Sequence, residues 1–381
     1  MTKQIVNFIR EIYKSNGSIP LHTPNFFGNE MKYVSETIES NFVSSVGQFV
    51  NDFESEMEKF TGSPKAVAVV NGTAALHTAM YMMGVKAGDF VITQALTFVA
   101  TCNAVYHIGA EPILLDVSKK SLSLCPVALD SFLSEHAVLK DEGCFHKTSL
   151  RKIGAVVPMH TFGHPAMLDE LLEVCNRWNL PMIEDAAESL GSFYKNRHTG
   201  TFGQMGAISF NGNKIITTGG GGMVLCANKE IGSKTKHITT TAKVPHPYEY
   251  FHNEPGFNFR LPNINAALGC AQMEALETFI AQKRALASCY ENFFANTEYL
   301  FVKEPDYAKS NYWLNAVICQ NKDARDDLLL KTNKEDVMTR PLWKLMNNLP
   351  MFKNVICDDL LVSKWLEERV VNLPSSPVEL F

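Results

Sequence analysis

In the stretch "SFNGNKIITTGGGGM", residues 209–223, one lysine stands between a serine and a run of four glycines. An amine in a dry, phosphate-lined site loses its proton readily and condenses with a carbonyl; beside an open turn it is only a solvated charge. The glycines permit backbone conformations closed to other residues and allow close approach to a ligand. No G-x-x-x-x-G-K-[ST] pattern precedes Lys214, and the glycine run is not a dinucleotide fingerprint. In "NGTAAL", residues 71–76, Asn71 ends an apolar strand pattern while Gly72 and Thr73 open a helical one. A helix N-terminus offers free N–H donors to a phosphate, although an ordinary Asn or Thr cap reads the same.

Two further stretches carry charge. In "IEDAAES", residues 183–189, Asp185 closes an apolar strand pattern. A carboxylate there could hold a proton on a heterocyclic nitrogen. It could equally cap the next helix or bind a metal. In "GFNFRLPN", residues 256–263, Asn258 and Arg260 alternate with Phe257, Phe259 and Leu261, so they share one face of an extended segment. Arg260 is a forked donor suited to a carboxylate or phosphate, though a half-exposed strand gives the same pattern. His160 and His164 have helical spacing, but Gly163 and Pro165 argue against a helix and no third ligand stands nearby, so no metal site is expected. No G-x-S-x-G elbow supports a serine hydrolase.

The elements between these stretches alternate. "QFVNDFESEMEKFTG" places Phe49, Phe53, Met57 and Phe60 at helical spacing and ends on Gly62. "KAVAVV", "DFVITQ", "PILLDV", "IGAVVPMH" and "LPMIED" are short apolar strands, with helices such as "NGTAALHTAMYMMGV" and "MLDELLEVCNRWN" between them. Such alternation predicts an α/β fold with a mainly parallel sheet covered by helices on both faces, and ligands beyond the C-terminal strand ends. After about residue 250 a long helix over Ile264 to Thr297 leads into weaker strands and helices. The expected division is a large domain over 1–250, with an N-terminal helix over 1–17, and a small α+β domain over 251–381.

With 46% hydrophobic and 20% charged residues, the 381-residue chain reads as globular, and its net charge of -5 argues against a nucleic-acid partner. Nine cysteines without a CxxC pair suggest reduced thiols. No apolar run approaches the roughly 18 residues that span a bilayer. A cytoplasmic protein is expected.

Together and in this order, the quoted segments resemble the pyridoxal 5'-phosphate-dependent sugar aminotransferases of the DegT/DnrJ/EryC1/StrS family. The resemblance runs from "FVSSVGQFVNDFESEMEKFTG" through "EDAAESLGS" and "SFNGNKIITTGGGGM" to "GFNFRLPNINAALGCAQ" and "VNLPSS". It implies the aspartate-aminotransferase-like fold, PLP fold type I. By resemblance, Lys214 is the lysine that binds the cofactor and Asp185 the acid paired with its pyridine nitrogen. Gly72, Thr73, Ala74 and Ser209 belong to the phosphate site, and Phe98 stacks on the ring. Asn258 matches a phosphate ligand from the neighbouring subunit, which implies a homodimer. Arg260 matches a position for the amino donor's carboxylate.

Two positions depart from the commonest pattern. Glu188 stands where many relatives carry Gln or His, and Gly220 where many carry Glu. Relatives that dehydrate sugars have histidine in place of Lys214, so the lysine favours amino transfer from L-glutamate. The segments "ITTGGGG" and "TRPLWKLMNNLPMFK" most resemble the branch acting on UDP-linked 4-keto-6-deoxy-N-acetylhexosamines, the legionaminic acid branch, with Arg340, Trp343 and Lys344 as nucleotide or sugar ligands. GDP-4-keto-6-deoxymannose and dTDP-linked keto sugars are alternatives, as is a PLP-binding regulatory protein without turnover.

Overall fold

The structure, a computed structural model, describes residues 1–379. Its centre is a seven-stranded sheet built from β1 (Lys65–Val69), β2 (Phe90–Gln94), β3 (Glu111–Leu115), β4 (Ile153–Val157), β5 (Ile183–Asp185), β6 (Met205–Ser209) and β7 (Gly222–Cys226). Two runs, β3-β2-β4 and β5-β6-β7-β1, are joined by parallel bridges between Val156 and Met182 and between Met159 and Asp185. Only β7 runs antiparallel to its neighbours β6 and β1. All residues of β2 and β4 are buried, as unbroken apolar runs must be when both faces of a sheet are covered.

Alternation within the strands assigns the two faces. Phe90 and Ile92 of β2 pack with Leu129, Phe132 and Leu133 of α6 (Pro126–His136) and with Leu171 and Val174 of α7 (Leu168–Arg177). Val91, between them, joins the other layer, with Ala75, Leu76 and Ala79 of α4 (Gly72–Met82) and Ala104 and Val105 of α5 (Val99–His107). α3 (Gln48–Thr61) buries Phe53 and Met57 and ends where Gly62 takes a left-handed φ of 74°. α2 (Glu30–Glu39) and α8 (Lys229–Thr239) complete the helices of this part.

A helix of 32 residues, α9 (Asn263–Phe294), follows. Its first half packs Ala266, Cys270, Leu276 and Phe279 on the core around Phe53 and Phe210. Its second half gives Leu286, Tyr290 and Phe294 to a separate core. That core holds a four-stranded antiparallel sheet in the order β8-β9-β11-β10: β8 (Leu300–Phe301), β9 (Asn315–Ile318), β10 (Arg340–Pro341) and β11 (Val370–Leu373). α10 (Lys322–Lys334) and α11 (Leu361–Glu367) lie beside it.

The N-terminal helix α1 (Thr2–Tyr13), grouped by sequence position with the first 250 residues, places its apolar face elsewhere. Ile5, Val6 and Ile9 bury against Tyr290, Leu328, Val371 and Leu373 of the C-terminal elements. Three apolar positions on one face need a partner, and sequence distance does not decide which surface supplies it. All nine cysteines are free thiols, and no helix among the described residues is long and apolar enough to cross a membrane.

Candidate active site

At the C-terminal end of β1 the chain turns through Asn71 into α4. Asn71 Oδ1 accepts the Ala74 N–H at 2.8 Å and caps the helix. The first-turn N–H groups of Gly72 and Thr73 have no helical acceptor, which leaves them for an anion. Ser209 closes the other side at the end of β6. A Cβ on Gly72 would stand 2.9 Å from Ser209 Cβ, so glycine is what brings the helix start against the serine. Gly72→Ala is expected to push the two apart and weaken binding of a phosphate-bearing ligand, pyridoxal phosphate by the resemblance, about tenfold, about 1.4 kcal/mol, in a titration of the ligand-free protein. Ala74, expected in the same phosphate site, has its N–H taken by the Asn71 cap.

Adjacent strand residues point to opposite faces, and β5 uses this to separate two acids. Glu184 accepts the N–H groups of Phe202, Gly203 and Gly200 at 2.6, 2.8 and 2.7 Å. It also faces His160 Nε2 at 3.0 Å. His160 Nδ1 accepts the Ala166 N–H, which leaves the ring proton on Nε2, toward Glu184. Burial works to raise the Glu184 carboxyl, but His160 and the backbone donors outweigh it and hold it below the usual value. His160 is thereby committed to structure.

Asp185 points the other way, 3% exposed. Its Oδ2 accepts the Thr101 hydroxyl at 2.7 Å and its Oδ1 the Ala187 N–H at 3.2 Å. Burial pushes its carboxyl above the usual range, with Thr101, Ala187 and the Lys214 charge acting against the shift. A buried carboxylate in this state favours a cationic partner.

Lys214 reaches the same space. Its Nζ lies 3.4 Å from Glu188 Oε1 and 4.0 Å from the centroid of the Trp313 ring, and the side chain is 12% exposed. The Trp313 indole is itself fixed, since Nε1 donates to the Asn213 carbonyl at 2.7 Å. Glu188 Oε2 accepts the Phe162 N–H at 3.0 Å. Phe162 adopts a left-handed φ of 58°, an unfavourable conformation for an aromatic residue and one that strong local contacts must hold.

Burial pushes the Glu188 carboxyl from 4.5 up to about 7, against the pull of Lys214 and the Phe162 N–H. At low pH both folded and unfolded chains carry this proton. As pH rises toward about 7 the unfolded chain releases it first, so stability is lost through that window and levels off above it. Glu188→Gln removes the loss. Thermal unfolding of cofactor-free protein is expected to show the variant gaining on wild type as pH rises, by on the order of 3 kcal/mol over the window.

These groups line one cavity of about 330 Å³, bounded by Gly72, Thr73, Phe98, Asp185, Glu188, Ser209, Lys214 and Trp343. Phe98, half exposed at 49%, stands at its mouth, 6.2 Å from the Trp343 ring. A larger cleft of about 800 Å³ shares Asn213, Trp313 and Trp343 with it and adds Arg325, Arg340 and Lys344. An anion cradle, a buried carboxylate and a shielded amine within one cavity fit pyridoxal phosphate, whose phosphate, ring nitrogen and aldehyde ask for those three partners.

The comparison with known families agrees with this chemistry: residues 26–378 match the model of the DegT/DnrJ/EryC1/StrS aminotransferase family. The chain belongs to that family. This aminotransferase is 35% identical to EpsN of Bacillus subtilis (strain 168) over 368 residues, which cover 94% of this chain and 90% of that protein. It is 32% identical to GDP-perosamine synthase of Escherichia coli O157:H7 over 364 residues, 94% of this chain and 93% of that one. Among solved structures it resembles PseC of Helicobacter pylori, an aminotransferase of pseudoaminic acid biosynthesis, with a TM-score of 0.84 at 21% identity over 94% of this chain and 93% of that one. The aminotransferase is a pyridoxal phosphate-dependent enzyme of the sugar aminotransferase class with the type I fold.

Not every expected site residue of the aminotransferase meets Lys214. Asn258 and Arg260 do share one face, with Arg260 Nε donating to Asn258 Oδ1 at 3.0 Å. Their segment runs along β1, through an antiparallel bridge between Arg260 and Val69. Arg260 lines a different opening, with Ser45, Thr240, Lys243 and His246. Within one chain, neither residue lines the Lys214 cavity. Arg340 sits in the larger cleft and donates to Asn333 Oδ1 and to the Thr339 carbonyl, both at 3.0 Å.

None of the four glycines after Thr218 lines the cavity of its own chain. Gly219 turns the chain at φ 77°, and Gly222 lets β7 pass against the Asn71 backbone. Three contributors escaped the sequence reading: Thr101, Phe162 and Trp313. Thr101, in the first turn of α5, lies four residues beyond Thr97, and their hydroxyls meet at 2.8 Å, a spacing visible in "TFVAT". Phe162 and Trp313 acquire their roles through backbone conformation and long-range packing, for which no local signal exists.

Proposed function

We propose that this aminotransferase moves the amino group of L-glutamate to C4 of a nucleotide-linked 4-keto-6-deoxy sugar, UDP-2-acetamido-2,6-dideoxy-4-keto-hexose. The products would be 2-oxoglutarate and the corresponding 4-amino sugar. The observation that carries this reading is the Lys214 amine, held over Trp313 where the cofactor cavity opens into the arginine-bearing cleft. A sugar in the cavity mouth could then leave its nucleotide beside Arg325, Arg340 and Trp343.

Bound pyridoxal phosphate supplies the electron sink that makes a Cα proton removable. Lys214 Nζ would take that proton as general base and return it at the end of the transfer. Asp185 would hold a proton on the ring nitrogen, and its burial makes a cationic partner worth more than it would be in water. Gly72, Thr73 and Ser209 would bind the phosphate and Phe98 the ring face. Glu188, protonated or paired with Lys214, would face the reacting end of the cavity. Asn258, exposed on the β1 edge, would complete the phosphate site of a second copy in a homodimer, with Arg260 beside it for the donor carboxylate. A cytoplasmic enzyme of surface-glycan or lipopolysaccharide sugar biosynthesis, of the legionaminic acid kind, follows from this substrate.

The similarity to GDP-perosamine synthase supports GDP-4-keto-6-deoxymannose as the second reading. The test separates the two half-reactions. Glutamate should bleach the visible absorbance of the holoenzyme, and a panel of UDP-, GDP- and dTDP-linked keto sugars should restore it. Restoration by the UDP sugar at the highest kcat/KM supports the proposal, whereas preference for the GDP sugar replaces it with the second reading.

A further inference from the structure

The segment after α1 runs between the stretches 336–338 and 375–376 and lines the larger cleft. Its backbone is pinned on both sides of His22. Ile19 N–H donates to Asp336 O and Ile19 O accepts from Met338 N–H, each at 2.8 Å. Leu21 O accepts the Ser375 N–H at 2.7 Å, and the Thr23 N–H donates to Ser376 Oγ at 2.9 Å. His22 thus projects from a fixed backbone into the cleft that holds Asn213, Trp313 and Trp343. Those three residues also wall the Lys214 cavity.

Among the described residues, neither ring nitrogen of His22 has a hydrogen-bond partner, although both are shielded from solvent by the surrounding protein. Polar atoms removed from water without a partner are costly, and a hydrogen bond from a ligand bound in the cleft would satisfy them. Burial lowers the imidazole well below its ordinary value, and positive charge on Lys283 and Lys214 acts in the same direction. Lys283 is fixed there by donating to the carbonyls of Trp313 and Ser375.

A neutral imidazole carries one donor and one acceptor. That pairing suits a hydroxyl or amide group, which can both give and take a hydrogen bond. It does not suit a carboxylate or a phosphate, which only accept and for which Arg325 and Arg340 stand in the same cleft. We infer that His22 is a specificity-determining residue that hydrogen-bonds a polar substituent of the acceptor's hexose ring. The position next to the walls shared with the Lys214 cavity favours the sugar over the nucleotide. The inference rests on the proposed function, since it needs a sugar acceptor.

The experiment compares wild type, His22→Ala, His22→Phe and His22→Gln as holoenzymes. The glutamate half-reaction, the second half-reaction with UDP-2-acetamido-2,6-dideoxy-4-keto-hexose or GDP-4-keto-6-deoxymannose, and the quenching of tryptophan fluorescence by UDP and GDP are each measured. His22→Ala is expected to raise the KM for the accepted keto sugar about tenfold, the loss expected when a buried polar partner is removed. The glutamate half-reaction and the affinity for the free nucleotide should stay within about twofold of wild type by the same reasoning. His22→Phe, which fills the ring's space without polar atoms, must show the same selective loss, and it serves if the alanine variant fails to fold. His22→Gln should recover most of the acceptor KM. An unchanged acceptor KM overturns the inference, as does an equal loss in both half-reactions. A matching loss of nucleotide affinity moves the contact to the nucleotide and overturns it as well. A wild type that aminates no keto sugar defeats the proposed function itself, and this inference falls with it.

Discussion

Lys214→Ala should leave a folded protein that binds pyridoxal phosphate but does not turn over. The cradle of Gly72, Thr73 and Ser209 does not involve the lysine, so affinity should fall while binding persists. What disappears is the only amine among the described residues lining the cavity, placed 3.4 Å from Glu188 and against the Trp313 ring. A positioned general base contributes about 10²–10⁴-fold, and loss of the proposed covalent cofactor link would add to this, so turnover should fall by at least about 10³-fold. Single-turnover absorbance with glutamate measures the effect. Borohydride treatment followed by peptide mapping checks the attachment, which should mark the Lys214 peptide in wild type and no lysine in the variant. Substantial transamination by Lys214→Ala would remove the assignment.

The second large effect belongs to Asp185→Asn. The amide is nearly isosteric, so its oxygen can still accept the Ala187 N–H, and the Thr101 hydroxyl can turn to accept from the new NH₂. Because burial already disfavours the Asp185 carboxylate, the fold should lose nothing, and the cofactor-free variant should melt no lower than wild type. Catalysis should fall by about 10²–10³-fold, because in the proposed role a neutral side chain would no longer hold a proton on the ring nitrogen, and preorganised electrostatics are worth that much in a water-excluded site. The diagnostic pattern is low turnover with intact stability and intact phosphate binding. A drop in melting temperature matched by the activity loss would instead mark Asp185 as a structural cap.

Much of this was legible in the chain. The all-buried strands β2 and β4 are unbroken apolar runs, and their alternation with helical patterns already implied a parallel sheet with ligands at its C-terminal edge. "NGTAAL", "IEDAAES" and "SFNGNK" each end a strand, and Gly72, Thr73, Asp185, Ser209 and Lys214 do meet in one cavity. Their chemistry is local: a strand end, a helix start and a side chain of the right type. The glycine run was less legible, because a glycine's reason is set by what lies opposite. Here that is the Asn71 backbone, which only the pairing of β7 with β1 brings there.

Residue type, period and order therefore determined the fold class, the family and the principal polar groups of the cavity, because these depend on neighbours within a few positions. Tertiary structure alone decided the partners. Trp313 beneath Lys214, Phe162 behind Glu188, and His22 in the outer cleft all come from elements distant in sequence. It also separated Asn258 and Arg260 from the Lys214 cavity of their own chain and carried α1 to the C-terminal core. Hydrophobic burial rewards any surface of the right shape, whatever its position in the chain, and a carboxyl or imidazole takes its charge from whichever groups that packing places beside it.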